Sequence, residues 1–327
     1  MPLPVQQQPS PTTDRDPTRA PVACPNCSTS DSESWAIASD VEYRTTPDSY
    51  EYRRCRACGV VFLADPPADQ LDVIYPSNYY SYRPGDASLL ERAKGVLDRR
   101  MLSRVSRDIP GERLRVLDVG GGTGFMASAA ASADERIGET TIVDLDEGAR
   151  DAAEANGHHF IRSRIEDVDA GEGPFDLILA FNLLEHVAHP RDVLRKFASL
   201  LSPEGRIVLK TPNTDAWDAR LFRDRSWGGL HCPRHWVLYD EPSLRSAAEE
   251  SGLHVWDLRF TQGAPFWAVN IASALEDRGV ARREPGQAIV DLWTYRAALG
   301  ATAVLDLARS PFAKTSQMFV VLGPEVG

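Results

Sequence analysis

The sequence predicts an α/β protein, a mostly parallel sheet with helices on both faces, preceded by a small cysteine-rich module. Three observations carry this. Between residues 114 and 253, short apolar runs alternate with segments of helical period, as in strands that pair in parallel through helical crossovers. One of those runs passes straight into Gly120-Gly121-Gly122-Thr123-Gly124 and an alanine-rich stretch, which places a strand, a glycine turn and a helix start in succession. Upstream, four of the five cysteines form two Cys-x-x-Cys pairs, Cys24/Cys27 and Cys55/Cys58.

Taken in order, residues 1–20 are rich in Pro, Gln and Thr with little to bury, so a disordered tail is expected. They lack the apolar core of a signal peptide, which leads to the expectation of a cytoplasmic protein. Residues 21–67 carry strand-like runs at 42–45, 50–54 and 60–63 around the cysteines, too little for an apolar core of their own. A Pro- and Tyr-rich linker and a helix at 87–108, with Met101 and Val105 on its apolar face, fill residues 68–108. The main domain, 109–327, has predicted strands at 115–119, 137–144, 175–181 and 206–210 and helices at 124–133, 146–156 and 191–201. A last strand pair, 255–261 and 318–322, encloses a long helical insertion at 263–311 with Phe266, Trp267, Trp293 and Tyr295. Four readings of that insertion stand open: a cover over an active site, a homodimer face, a contact for a lipid-linked substrate, or packing on the sheet.

A composition of 43% hydrophobic and 25% charged residues excludes a wholly disordered chain. Lys and Arg number 36 against 47 Asp and Glu, a net charge of −11, and the basic residues form no aromatic-interleaved cluster. Nucleic acid is therefore disfavoured as a partner. The longest apolar stretch, 288–308, is broken by Asp291, Arg296 and Asp306, so no membrane span is expected.

The glycine turn offers backbone N–H groups and a helix dipole to an anionic group. Gly122-x-Gly124-x-x-Ala127 also satisfies the relaxed dinucleotide fingerprint. Two carboxylates decide between ligands. Asp118, just before the glycines, would repel a pyrophosphate but suits a ligand carrying an amine and a sulfonium. Asp144, twenty residues past Gly124 at the end of the next strand, is placed for ribose hydroxyls. At this point the chain resembles the class I S-adenosylmethionine-dependent methyltransferases, whose first motif is an acidic residue followed by Gly-x-Gly and whose second strand ends in Asp or Glu. The likeness runs on through Phe175-Asp176, Leu184-Glu185-His186-Val187, Leu201-x-Pro203-x-Gly205 and Thr211-Pro212-Asn213. It implies a Rossmann-like fold and S-adenosylmethionine as cofactor, bound at Asp118, Gly120, Gly122, Gly124 and Asp144. It further implies that Ile165 and Glu166 lie beside the adenine and that Asn182 faces the cofactor. Where the family often has Asp, this chain has Arg164.

The cysteine pairs, with 27 residues between them, allow two turns to present four thiolates to one tetrahedral ion. Zn2+ is the expected metal, held by Cys24, Cys27, Cys55 and Cys58; four sulfur ligands leave no open position, so its role would be structural. A redox Cys-x-x-Cys is the competing reading. The pattern and the segment from Cys58 to Tyr80 resemble the zinc-binding module that precedes many bacterial sugar and natural-product methyltransferases. The best-known of these C-methylate nucleotide-linked keto sugars and carry a further C-terminal domain, for which 327 residues leave no room. A zinc module also precedes some ribosomal RNA methyltransferases, which keeps RNA as the alternative substrate.

Methyl transfer is an in-line displacement at the sulfonium methyl, and a hydroxyl or carbon acid must also lose its proton. His186 follows the predicted strand 175–181 at the ligand-binding edge of the sheet and is the first candidate for general base. The plainer reading is that Glu185-His186 shapes the loop. His235, within Pro233-Arg234-His235-Trp236, is the second candidate. With His231, Arg225, Arg234, Trp217, Phe222, Trp227, Trp236 and Tyr239 it reads as a substrate wall or as an apolar anchor for a long loop. A metal on His231, Cys232 and His235 is disfavoured because Pro233 opposes the helix such spacing needs. Cys232 reads as an inert buried thiol. The sequence thus points to a methyltransferase acting on an oxygen or carbon of a small molecule, a sugar or natural-product intermediate. An RNA methyltransferase and a non-catalytic cofactor-binding module are the alternatives.

Overall fold

The computed structural model describes residues 22–79 and 89–325; the expected tail at 1–20 lies outside them. The N-terminal module contains β1 (Ser32–Ser39), β2 (Ser49–Cys55) and β3 (Val61–Leu63), followed by α1 (Leu71–Ile74) and α2 (Leu89–Arg107). Next come β4 (Leu114–Val119), α3 (Phe125–Ala131), β5 (Ile137–Asp144), α4 (Arg150–Ala155), β6 (His159–Arg162), β7 (Phe175–Phe181), α5 (Pro190–Leu200) and β8 (Leu201–Pro212). The chain continues through α6 (Trp217–Phe222), β9 (Val237–Leu238), α7 (Glu241–Glu249), β10 (His254–Thr261), α8 (Ala264–Asp277), α9 (Trp293–Arg309) and β11 (Gln317–Gly323).

The main sheet has the order β10-β11-β8-β7-β4-β5-β6. Its five strands from β4 to β8 are parallel, and β11 runs antiparallel to both β8 and β10. The alternation of side chains along a strand sorts the core into two layers. Val116, Leu177, Leu179, Val208 and Phe319 meet Leu102 and Val105 of α2 and Ala129 and Ala130 of α3 on one face. Leu117, Ile178, Ala180, Leu209 and Val320 meet Val193, Leu194 and Phe197 of α5 and Leu244 of α7 on the other. Strands buried on both sides read as nearly unbroken apolar runs, which is why they were visible in the sequence. The sharp starts of two helices have local causes: Pro190 occupies the first turn of α5, and Asp240 and Ser243 form a reciprocal capping box on α7.

The N-terminal module differs from expectation in three respects. Residues 42–45 form a turn, because the Asp40 carboxylate accepts the backbone N–H groups of Glu42, Tyr43 and Thr45 at 3.2, 2.9 and 3.1 Å. A carboxylate that captures successive N–H groups competes with a strand ladder. The strand lies earlier, as β1. Finally, the module's sheet has the order β1-β2-β3-β9, so its last strand comes from far along the chain, with Val61 opposite Leu238 and Phe62 opposite Val237. Tyr52, Phe62 and Cys55 accordingly share one core with β7, α5 and α7. Elsewhere β6, α6 and α7 stand where no element was expected, and the other differences are of extent: the expected helix at 146–156 begins as a 3-10 turn, Glu147–Ala149, before α4, and β8 starts earlier than residue 206.

Phe62 is 1% exposed at the junction of β3 and β9. Phe62→Ala is expected to cost about 3–5 kcal/mol, read from urea unfolding. Because the two parts share one core, fluorescence and far-ultraviolet circular dichroism should shift together as a single transition.

Candidate active site

At the carboxyl end of β4 the chain must turn sharply into α3. Gly120, Gly122 and Gly124 do so with φ of 71°, 53° and 83°, values that favour glycine. A Cβ on Gly124 would stand 2.3 Å from His158 Cδ2, and one on Gly121 would stand 2.6 Å from Asp118 Cγ. Asp118 lies beneath the turn, 2% exposed, and Oδ2 accepts the Ala127 N–H at 3.0 Å. Burial pushes its carboxyl up to about 7, against that hydrogen bond and with the help of the nearby Asp144 charge. Asp144, at the end of β5, accepts the Gly122 N–H at 2.8 Å and the Asp146 N–H at 2.9 Å.

Above this turn opens a cleft of about 470 Å3. Gly120, Asp144, Ile165 and Glu166 form one side, and Tyr75 with Trp236 forms part of another. Ile165 is buried on a 3-10 turn while Glu166 and Arg164 are exposed at the rim. Asp118, Gly122 and Gly124 shape the turn without lining the cleft. Such a volume suits a cofactor-sized ligand.

The loop after β7 borders this cleft through Leu183 and His186, and borders a second cavity of about 440 Å3 through Asn182 and Glu185. Asn182 adopts φ of 50° and accepts a 3.3 Å hydrogen bond from Gln317 Nε2. Lys210, His231, His235 and Gln317 line the second cavity, and Phe266, Val269 and Tyr295 from the insertion close over it. The insertion thus covers a polar chamber next to the cleft.

Between the cleft and the chamber, the rings of His186, on the cleft side, and His235, on the chamber side, lie 4.6 Å apart and nearly perpendicular. His186 Nδ1 is 3.1 Å from the Arg234 carbonyl oxygen and 3.0 Å from the Tyr75 hydroxyl. His235 Nδ1 is 2.8 Å from the Gly229 carbonyl oxygen. A carbonyl only accepts, so both protons sit on Nδ1 and both Nε2 atoms keep a lone pair. Burial holds both imidazoles neutral, His186 pushed down to about 3 and His235 well below its usual value. His231, by contrast, is engaged at both nitrogens, by Glu42 at 2.7 Å and the Tyr79 hydroxyl at 3.1 Å. The sequence singled out His186 and His235 separately; the fold brings them together. It also adds Glu185, which the sequence reading left as a loop former although a charged residue among Leu183, Leu184 and Val187 was its signal. Glu185 is fully buried, and burial pushes its carboxyl up to about 8.

Arg234 fixes this arrangement. Its side chain and that of Asp40 are both fully buried, 2.9 Å apart. It also donates to the carbonyl oxygens of Ile74 and Cys232 at 2.5 and 3.2 Å and lies over the Tyr43 ring at 4.6 Å. Burial opposes ionisation of Asp40, yet the Arg234 hydrogen bonds and charge prevail and hold its carboxyl below the usual range.

The four cysteines of the two pairs converge as free thiols with every sulfur within 4.8 Å of the others. Cys24 and Cys58 are 3.7 Å apart and Cys27 and Cys55 3.5 Å. Four sulfurs at about 2.3 Å from a tetrahedral ion lie about 3.8 Å from one another, so the cluster has the span of a zinc site. The contacts run across the pairs and exceed a disulfide bond of about 2.05 Å. Cys232 is buried with its thiol pushed above its ordinary value by burial.

Residues 88–258, just over half of the chain, match the family model described as a methyltransferase domain. The chain belongs to this methyltransferase family. It is 37% identical over 124 residues to a ubiquinone biosynthesis O-methyltransferase of Caulobacter sp. (strain K31), covering 34% of this chain and 48% of that protein. It is 40% identical over 117 residues to a tRNA 5-carboxymethoxyuridine methyltransferase of Escherichia coli (strain K12), covering 33% and 44%. The chain thus spans just under half the length of these curated relatives. Among solved structures, coclaurine N-methyltransferase bound to N-methylheliamine and SAH aligns with a TM-score of 0.48 at 16% identity over 79% of each chain. Among the described residues no helix is long and apolar enough to cross a membrane.

Asp118 gives a pH prediction. The folded state holds its proton up to about pH 7 whereas an unfolded carboxyl loses it near 3.8. Its stabilisation is therefore complete below about pH 4 and lost as pH rises to about 7. The urea midpoint of the ligand-free protein is expected to fall more steeply over this window in the wild type than in Asp118→Asn; equal slopes would remove the assignment.

Proposed function

We propose that this chain transfers the methyl group of S-adenosylmethionine to an oxygen or carbon of a small molecule, a sugar or natural-product intermediate. The observation that carries the reading is that one loop borders both the cleft with the glycine turn and Asp144 and the separate polar chamber under α8 and α9. The cofactor would lie in the cleft, its ribose hydroxyls donating to Asp144 and its adenine against Ile165 and Glu166, with Asn182 toward the reacting end. The acceptor would occupy the chamber, where Lys210, Gln317 and the protonated carboxyl of Glu185 offer donors. Its lone pair forms a bond to the methyl carbon as the carbon–sulfur bond breaks, and the sulfonium becomes a neutral thioether. His186 and His235, neutral and with Nε2 lone pairs, are assigned to the acceptor proton. Cys24, Cys27, Cys55 and Cys58 would hold a structural Zn2+, which when bound supplies folding energy and no open position.

Net charge of −11 supports a small acceptor over RNA. The likeness to the tRNA enzyme favours the second reading, RNA methylation. Labelled S-adenosylmethionine offered with nucleotide sugars, phenols and RNA separates them. Labelled small-molecule product supports the proposal, whereas labelled RNA with a steep salt dependence of binding overturns it. No S-adenosylhomocysteine with any acceptor would leave a binding module.

Asp144→Ala is expected to weaken S-adenosylmethionine binding about 10–100-fold in calorimetry, the loss of charged hydrogen bonds. His186→Ala is expected to lower kcat about 10²–10⁴-fold with cofactor binding retained; full turnover at neutral pH would remove His186 from the chemistry.

A further inference from the structure

We propose that Glu185, His186 and His235 form a second metal site, distinct from the cysteine cluster, that takes a divalent cation such as Zn2+, Fe2+ or Co2+. The three residues each offer a ligand atom, and these atoms lie within 4.8 Å of one another. Ligands about 2.1 Å from a common ion lie at most about 4.2 Å apart, so the cluster has nearly the span of a three-ligand site.

Three observations converge on this cluster. Glu185 is 0% exposed, and its Oε2 accepts from Thr211 Oγ1 at 3.1 Å. Its Oε1 has no hydrogen-bond partner among the described residues. A buried carboxylate oxygen left unpaired costs free energy unless a proton or a cation meets it. The two histidines each anchor Nδ1–H on a backbone carbonyl, Arg234 for one and Gly229 for the other. That outer bond fixes the ring and the tautomer of a metal-ligating histidine and leaves Nε2 to coordinate. The first of these anchors is itself held, since Arg234 is locked against Asp40.

Two imidazoles and one carboxylate form a donor set of borderline softness, suited to the first-row divalent ions and poor for Mg2+ or Ca2+. Lys210 lines the same chamber, but so do Glu42 and Glu185, so a cation is not faced by positive charge alone. Three protein ligands leave open positions toward the chamber. On the reading that the acceptor lies there, an acceptor oxygen would take one of them. With an ion bound, the Nε2 lone pairs of His186 and His235 are coordinated, so the ion in place of the imidazoles would lower the pKa of the hydroxyl, whose proton would leave to water.

The experiment reads metal directly and needs no acceptor. The full chain, stripped of metal and reconstituted with Co2+, is expected to bind two ions per chain by elemental analysis. One should give intense sulfur-to-cobalt charge-transfer absorption and the other only weak ligand-field bands. Glu185→Gln and His235→Ala are each expected to lose the second ion and its weak bands while keeping the first and its charge transfer. Retained charge transfer shows in each variant that the cysteine cluster is still folded, and His186→Ala serves if one of the two fails to fold. One ion in the wild type, bound by sulfur only, overturns the proposal. So does a second ion that survives all three substitutions. Neither result touches methyl transfer, which fails separately if no S-adenosylhomocysteine forms.

Discussion

The buried pair of Asp40 and Arg234 is the constraint on which the rest of the site depends. Two charges removed from water this completely are tolerated only when their remaining hydrogen-bonding capacity is filled. Here it is filled from three places. Asp40 collects the backbone of its own turn, and Arg234 ties the carbonyl of Ile74 at the end of α1 and that of Cys232 in the loop before β9. The N-terminal module, the linker and the histidine-bearing loop therefore meet at one guanidinium. The carbonyl of that same arginine sets the tautomer of His186. A residue of the cysteine-rich module thus helps to hold in place the arginine whose carbonyl meets His186 of the main domain.

A second theme is the storage of buried acids. Asp118 beneath the glycine turn, Glu185 in the chamber and Asp218 beside Trp227 all have carboxyls raised by burial, to about 7, 8 and 6. Each has a different satisfaction. Asp218 accepts from Trp227 Nε1 and Ser316 Oγ at 2.7 and 2.8 Å and acts as a strut. Asp118 has one backbone donor, and Glu185 has one hydroxyl and an unpaired oxygen. The less a buried carboxyl is paired, the more it gains from a positive neighbour, and the two least paired flank the cleft and the chamber.

Much of the architecture was legible because its causes are local. Strands buried on both faces are apolar throughout, and the positive φ angles of the turn after β4 leave a row of glycines in the sequence. Thiolates in pairs two residues apart announce themselves likewise. What escaped was set by distant partners. The run at 42–45 has strand composition, yet Asp40 captures its N–H groups. β9 is two residues long and exists because β3 lies beside it. The chamber is assembled from the loop after β7, the loop before β9 and the insertion, so His186 and His235 could be named but not joined, and Glu185 had no visible role until its neighbours were known.

The closing of the module's sheet by β9 also bears on the order in which the chain acquires structure. During synthesis the four cysteines, the last of them Cys58, emerge well ahead of β9, and a metal could gather them early. β3, however, waits for Val237 and Leu238, some 175 residues later, which at 5–20 residues per second is roughly 10–35 s of elongation. Through that interval the apolar edge formed by Val61 and Phe62 has no partner, an exposure of the kind that invites pairing with other chains. Here the tetrathiolate cluster would act as a clasp, holding a half-finished sheet in register until its last strand arrives.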